Sequence, residues 1–371
     1  MKKLQFAMVG GGNGALIGDI HRIGAQFDDL AELKAGCFSR HWDKNLEAGE
    51  KWGVEPGRIY PDYHTMLEEE AKRTGEDRLD FVVVATPNNT HYEIVKDIIA
   101  HGFHIVCDKP VTFTSRESEE LKALAQEKDL LFGVSYSYAH YAILEQAKKM
   151  IADGGLGKIH TIAAEYPQEW VGLNTALRGK DGLTWRVDPA ICGPSGVIAD
   201  IGTHVEYLIS KVTGLKPVRV LARLRSIPDY VPVESDAQVL IDYDNGAAGI
   251  FWTSFAMVGK SCCMKVRIYG DKGGMEWNAH DFMELRVDIA GQPTQIWSAN
   301  YDYCDPQARK SCRLPKGMPE AFHSLFANFY RGYCSHLLSR KEGKDERTFP
   351  YSDIDDGIQG LKFIEACLKS Q

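Results

Sequence analysis

The chain has 371 residues, 44% of them hydrophobic and 25% charged, with a formal net charge of -8. That length allows two domains with substantial cores. The acidic balance, without a block of like charges, argues against a nucleic-acid partner, and no apolar run approaches the ~20 residues of a membrane-spanning helix. The nine cysteines are scattered without a C-x-x-C pair. No metal site and no disulfide framework is therefore expected, and a reduced, cytoplasmic setting fits best.

Short apolar runs at Leu4–Val9, Leu33–Phe38, Phe81–Ala85, His104–Cys107 and Leu130–Val134 alternate with helical patterns. This is the βαβ rhythm of a parallel sheet covered on both faces. The first run reads as a strand rather than an export signal, because it ends in glycines and the charged Asp19, His21 and Arg22. Thr114 and Glu117 predict a capping box at the start of a helix near Arg116–Glu127.

After about residue 135 the rhythm changes. Helices are expected over Ala142–Ala152 and Gly196–Val212, followed by longer alternating strands at Val218–Arg225, Ala237–Tyr243, Ala247–Phe255, Met264–Tyr269 and Met283–Asp288. Asp244-Asn245-Gly246 reads as a hairpin turn and Asp271-Lys272-Gly273-Gly274 as another. The stretches Pro319–Leu338 and Ser352–Leu368 look helical. The expected architecture is α/β: a Rossmann doubly wound parallel sheet over residues 1–134, then an α+β domain over residues 135–371 with an open, mainly antiparallel sheet.

The first strand runs into Gly10-Gly11-Gly12-Asn13-Gly14-Ala15, which fits G-x-G-x-x-A, and Gly18 follows. Glycines serve where the chain turns tightly and where backbone must approach a pyrophosphate, and the next helix N-terminus faces that anion. The pattern predicts NAD or NADP, with Gly10, Gly12, Asn13, Gly14 and Ala15 at the phosphates. Ser39-Arg40 ends the second strand, where an acid would bind ribose hydroxyls and a base would accommodate a 2′-phosphate. Arg40 permits NADP but also fits stacking on adenine, so the choice of cofactor stays open.

The third strand ends in Thr86-Pro87-Asn88-Asn89-Thr90-His91, at the edge where doubly wound folds bind ligands. Thr86, Asn88 and His91 are accordingly cofactor candidates. The fourth ends in Cys107-Asp108-Lys109-Pro110, where proline keeps Lys109 out of the helical region. Farther on, Asp200 and His204 are four apart on an expected helix, on one face. A carboxylate and an imidazole so placed suit removal of a proton from an alcohol, although the same spacing also describes a structural pair on a helix surface.

These motifs together resemble the Gfo/Idh/MocA oxidoreductases (glucose–fructose oxidoreductase, inositol dehydrogenase and relatives). The resemblance runs along essentially the whole chain and rests on the glycine turn, Thr86-Pro87-Asn88 with His91, Asp108-Lys109-Pro110 for the family's E-K-P, and Asp200-x-Gly202-x-His204. It implies that Lys109, Asp200 and His204 are catalytic, with His204 as general base, Lys109 steadying the alkoxide and Asp200 orienting substrate or His204. Asp108 replaces the usual glutamate, and Asp108 and Lys109 are also expected at the cofactor. Trp185-Arg186-x-Asp188-Pro189 looks like a motif that lies near the nicotinamide in some members, which puts Trp185 and Arg186 with the cofactor and Asp188 with the substrate. Open-sheet contacts make a homo-oligomer the expected state.

His21-Arg22 after the glycines and Pro319-Glu320-Ala321-Phe322 resemble a branch of sugar and glycoside dehydrogenases, some of which oxidise the carbon 3 hydroxyl of a glucosyl unit. Tyr136, Tyr138, Tyr166, Trp170 and Trp185 lie in segments expected to flank the cleft, where sugar C–H faces can pack on rings. Tyr136, Tyr166 and His323 join Asp188, Asp200 and His204 as candidate substrate contacts. The leading expectation is NAD(P)-dependent oxidation of a secondary hydroxyl of a sugar, glycoside or cyclitol. The alternatives are redox-neutral glycoside cleavage through a transient oxidation, and a non-catalytic cofactor or sugar sensor.

Overall fold

A computed structural model describes residues 2–262 and 264–370. The chain divides into two compact units: residues up to Ser137 with Ala321–Ile358, and Tyr138–Glu320 with the residues from Gln359 onward.

The first unit is built on five parallel strands: β1 (Leu4–Gly10), β2 (Ala31–Cys37), β3 (Phe81–Ala85), β4 (His104–Cys107) and β5 (Phe132–Val134). Their order is β2-β1-β3-β4-β5, so the winding reverses between β1 and β3. Every residue of β3 is buried, as expected for a strand covered on both faces. The helix Ser115–Glu127 starts with the expected box, in which Thr114 Oγ1 accepts the Glu117 N–H and the Glu117 carboxylate accepts the Thr114 N–H.

The sequence boundary at residue 134 is corrected in one respect: residues 321–358 belong with the cofactor sheet and not with the second unit. The reason is burial on the long helix His323–Lys341. Gly24 lets the helix Leu16–Gln26 lie directly on Phe326, since a Cβ there would be 2.6 Å from Phe326 Cβ. Tyr330 shares a hydrogen bond with buried His21 at 2.7 Å, and Arg331 forks onto Asp28 with both N–O distances 2.8 Å. Beyond the helix, Val134 N–H donates to the Ser352 carbonyl at 2.9 Å.

The second unit holds eight strands: β6 (Ile159–Pro167), β7 (Pro217–Arg225), β8 (Asp236–Tyr243), β9 (Ala248–Ser254), β10 (Lys265–Gly270), β11 (Gly273–Asn278), β12 (Glu284–Ile289) and β13 (Gln295–Ser298). They order as β13-β12-β11-β10-β6-β9-β8-β7. All pairings are antiparallel except β6 with β9, so the sheet is mainly antiparallel as expected. The hairpin at Asp244-Asn245-Gly246 closes with Gly246 at φ +86° and the Tyr243 N–H donating to the Ala247 carbonyl at 2.9 Å. One face buries Val239, Phe251, Val266 and Trp277. On the other, Leu221 pairs with Leu240 and Leu240 with Ile250, and all three are exposed. Among the described residues no helix is long and apolar enough to cross a membrane.

Candidate functional site

In the first unit, β1 ends at Gly10 with φ +80°, followed by Gly11 at +72°, a region that favours glycine. A Cβ on Gly10 would lie 2.6 Å from both the Ala85 carbonyl oxygen and Thr86 Cγ2 at the end of β3. One on Gly12 would lie 2.7 Å from the Phe38 carbonyl oxygen, which accepts the Gly12 N–H at 3.1 Å. The turn therefore sits where the winding reverses, at the carboxyl ends of the strands, the ligand crevice of doubly wound sheets.

The helix Leu16–Gln26 begins after Ala15, whose side chain provides no cap, so the positive helix end is available to an anion. The close approach of this helix to the turn falls on Gly18, not on Ala15 as the G-x-G-x-x-A alignment implied. A Cβ on Gly18 would fall on the backbone of Gly11, closer than 3.0 Å, whereas Ala15 is exposed. This bare backbone cradle fits a pyrophosphate, and Gly10–Ala15 would hold it. Beside it, Lys51 Nζ donates to Asn13 Oδ1 at 3.3 Å. At the end of β2, Ser39 Oγ accepts the His41 N–H at 3.1 Å, and Arg40 is exposed.

His91, expected at the cofactor, is fully buried. Its Nδ1 lies 2.9 Å from the Pro110 carbonyl oxygen and its Nε2 2.9 Å from that of Thr86. It ties the end of β3 to the turn after Lys109, while Thr90 Oγ1 donates to Thr86 Oγ1 at 2.8 Å. Asn88 stands in the short helical turn before His91. Asp108 Oδ1 accepts the Lys109 N–H at 2.9 Å and the Ser135 hydroxyl at 2.5 Å. Burial pushes its carboxyl up, but His21, Lys109 and the Ser135 hydrogen bond outweigh that and hold it below the usual value. Burial likewise lowers the pKa of His21, with Asp108 acting against it. The sequence pattern does not mark His21 as a partner of Asp108. The position of His21 on the same stripe as buried Gly18, Ile20 and Gly24 was the available signal, since a buried histidine requires a polar partner.

In the second unit, Asp200 lies in a π-helical turn, Ile198–Gly202, that leads into the helix Thr203–Thr213. The expected uniform helix is thus widened between the two predicted side chains. Thr203 N–H reaches back five residues to the Ile198 carbonyl. The Ala199 carbonyl, its partner in an α-helix, is met by Thr203 Oγ1 at 3.0 Å instead. Such single turns recur at functional sites.

His204 is buried, with the Tyr138 ring edge-on to it at 4.9 Å between centroids. Tyr138 and Tyr166 share a hydrogen bond at 2.7 Å. Burial, with Asp200 and Cys262 contributing, pushes the Tyr138 phenol up to about 12 although the Tyr166 bond opposes it. Tyr138 therefore keeps its proton. Arg186 lies 3.7 Å from Asp200 as an ion pair and its guanidinium is 4.8 Å from the Trp185 ring centroid. This unit accordingly gathers Asp200, His204, Tyr138, Tyr166 and Arg186.

The other candidates have partners of their own. Asp188 caps the short helix Pro189–Cys192, accepting the Ala190 N–H at 3.0 Å. Trp170 packs on Phe255 at 4.6 Å between rings. Tyr136 and His323 belong to the first unit, where Tyr136 is fully buried and His323 is exposed at the start of the long helix. Among the described residues no cluster of three or more His, Cys, Asp or Glu could hold a metal ion.

Residues 4–136 match the oxidoreductase family with an NAD-binding Rossmann fold, and residues 144–276 match the GFO/IDH/MocA C-terminal domain. The chain is 36% identical to the uncharacterized oxidoreductase YfiI of Bacillus subtilis (strain 168), over 100% of this chain and 95% of that protein. The chain belongs to the Gfo/Idh/MocA oxidoreductase family. As a Gfo/Idh/MocA protein it is an NAD(P)-dependent oxidoreductase. Another relative, the scyllo-inositol 2-dehydrogenase (NADP(+)) IolW of B. subtilis (strain 168), is 30% identical over 85% of this chain and 83% of its own. The crystal structure of an inositol dehydrogenase homolog from Azotobacter vinelandii, complexed with NADH and myo-inositol, superposes with a TM-score of 0.92 at 34% identity. It covers 100% of this Gfo/Idh/MocA chain and 95% of its own.

Proposed function

We propose that this protein oxidises a secondary hydroxyl of a sugar, glycoside or cyclitol, reversibly, with NAD or NADP. The observation that carries the reading is the full-length likeness, at 34% identity, to a structure holding NADH and myo-inositol. The bound nicotinamide supplies the hydride acceptor. His204 takes the hydroxyl proton as general base, a task suited to an imidazole near neutrality. Lys109 stabilises the negative charge that develops on the substrate oxygen. Asp200 orients the substrate or His204, and Arg186 balances its charge.

Trp185 and Arg186 contact the cofactor, together with Thr86, Asn88 and Asp108 at the sheet edge, where buried His91 holds the Thr86 backbone in place. Tyr136, Tyr166, Asp188 and His323 are the further substrate contacts in this reading, and Tyr138 is added to them because its ring lies against His204. The proposal includes cytoplasmic residence, a homo-oligomeric state, and no nucleic-acid or membrane partner.

The test is a panel of myo-inositol, scyllo-inositol, levoglucosan, glucose and glucosides offered with NAD and with NADP, read by absorbance of the reduced cofactor. Turnover on a panel member, lost in His204→Ala, is expected. A His204→Ala protein with full turnover would sink the assignment of the base.

A further inference from the structure

The first four N–H groups of a helix find no partner within it. On the helix that carries Asp200 and His204 they converge on one residue. Gly196 N–H donates to Glu234 Oε1 at 2.9 Å and Ile198 N–H to the same oxygen at 3.2 Å. Val197 N–H donates to the Glu234 main-chain carbonyl at 3.0 Å. Ala199 N–H donates to Ser195 Oγ at 3.3 Å, and that hydroxyl donates to Glu234 Oε1 at 2.5 Å. The next N–H, that of Asp200, goes to the Gly196 carbonyl at 3.0 Å. Asp200 is thus the first residue beyond the tie.

The approach leaves no slack. A Cβ on Gly196 would stand 2.5 Å from the Glu234 carbonyl oxygen and 2.6 Å from Val233 Cγ2. Glu234 is buried, and burial pushes its carboxyl above the ordinary range while the Ser195, Gly196 and Ile198 donors pull against it. A buried carboxylate is costly unless its oxygens are satisfied, and here the helix start and Ser195 supply three donors to Oε1. Glu234 is itself fixed two residues ahead of β8, where Ser235 N–H donates to the Arg225 carbonyl and Phe255 N–H to the Ser235 carbonyl, at 2.9 and 2.7 Å.

We propose that Glu234 is a positioning residue for the Asp200–His204 pair, tying the first turn of their helix to the start of β8 and so setting where both side chains point. The inference rests on the functional reading above. The π turn gives the hold its importance. The helix changes pitch from Ile198, within the tied segment, so a slip in its first turn reaches Asp200 before regular helix can absorb it.

The test uses the full-length protein as wild type, Glu234→Ala, Glu234→Gln and Ser195→Ala, with His204→Ala in the same assay. Each is read by turnover on the polyol panel, by NADH and NADPH binding, and by amide hydrogen exchange of residues 195–205. Glu234→Ala is expected to speed exchange there and lower kcat by ~10²-fold, the scale of a 1 Å misplacement. Cofactor affinity should hold within about two-fold, so that the loss sits in kcat. Glu234→Gln keeps an oxygen acceptor for Gly196 and Ile198 and should recover most of the rate, with Ser195→Ala intermediate.

A folded Glu234→Ala with wild-type kcat overturns the proposal. So does a folded Glu234→Gln as impaired as alanine, or lost turnover with unchanged exchange. If alanine does not fold, wild-type kcat in both Glu234→Gln and Ser195→Ala overturns it. A wild-type protein inert on the whole panel, or an active His204→Ala, refutes the functional reading itself and takes the positioning claim with it. An active wild type whose His204→Ala is dead isolates failure to Glu234 alone.

Discussion

Replacing Gly18 with alanine sets two effects of opposite sign against each other. Alanine is favoured over glycine in a helix interior by about 1 kcal/mol, so propensity alone predicts a more stable protein. The added Cβ, however, would fall on the Gly11 carbonyl group, which is backbone and cannot rotate away. The helix must retreat by more than an ångström before the contact reaches the ordinary 3.4 Å. Overpacking of this kind costs roughly 1–3 kcal/mol, which cancels or exceeds the propensity gain. The retreat also carries the helix N-terminus away from the turn at Gly10–Gly14, where the cofactor's charge is expected. Loss of one charge-assisted hydrogen bond, roughly 1.5–3 kcal/mol, weakens binding about 10- to 100-fold. Quenching of protein fluorescence by NADH and NADPH measures this directly. Gly57→Ala is the control, because a Cβ there meets nothing within 4 Å and the residue lies outside the glycine turn. If Gly18→Ala binds either nucleotide as tightly as wild type, the assignment of Gly18 to the close approach is wrong.

Lys109→Met should lower kcat by roughly 10²- to 10³-fold, the scale of removing one donor to a developing oxyanion; an unaltered kcat would exclude Lys109 from the chemistry. Thr203→Val leaves the Ala199 carbonyl without its 3.0 Å partner and should cost about 1–3 kcal/mol in urea denaturation; a neutral result would mean that the hydroxyl does not support the π turn. His104 gives a pH prediction. Burial, assisted by Arg340 and opposed by Asp80, lowers its pKa from 6.5 to about 4, and its Nδ1 accepts the Leu131 N–H at 2.8 Å. The unfolded chain therefore takes up a proton that the folded one refuses, so this contribution is complete above pH 6.5 and fades as pH falls towards 4. It amounts to about 3 kcal/mol across that window. In denaturant titrations at pH 7 and 4.5, His104→Asn should lose less stability on acidification than wild type; parallel losses would refute the linkage.

Much of the cofactor unit was legible because its strands are short, uniformly apolar and bounded by glycine or proline: Phe81–Ala85 and His104–Cys107 stand where the pattern placed them. Two central features of the second unit were not. β6 alternates, but with Thr161, Ala163 and Ala164 along it the apolar signal is too weak to separate strand from loop. β11 starts with Gly273-Gly274, read as turn residues. They lie in the strand because a Cβ on Gly274 would strike the Tyr269 ring at 2.6 Å, so the glycines mark a close approach. At the site, chemistry was easier to read than support. Asp200 and His204 announce themselves by type and spacing, whereas Glu234 lies more than thirty positions from the helix it caps and its role exists only after folding. The π turn differs from regular helix by one hydrogen-bond step, below what periodicity can resolve.

The return of residues 321–358 to the cofactor sheet bears on how this protein is made. Domains usually fold as units while the chain is being synthesised, the N-terminal one first. Here the first 137 residues emerge lacking Phe326, Tyr330 and Ser352, which bury Gly24, partner His21 and accept the Val134 N–H. The nucleotide-binding unit cannot be finished until nearly the whole chain has left the ribosome. A fragment cut at residue 137 would carry an uncovered apolar face, and only a fragment that restores 321–358 would be expected to stay monodisperse and bind nucleotide.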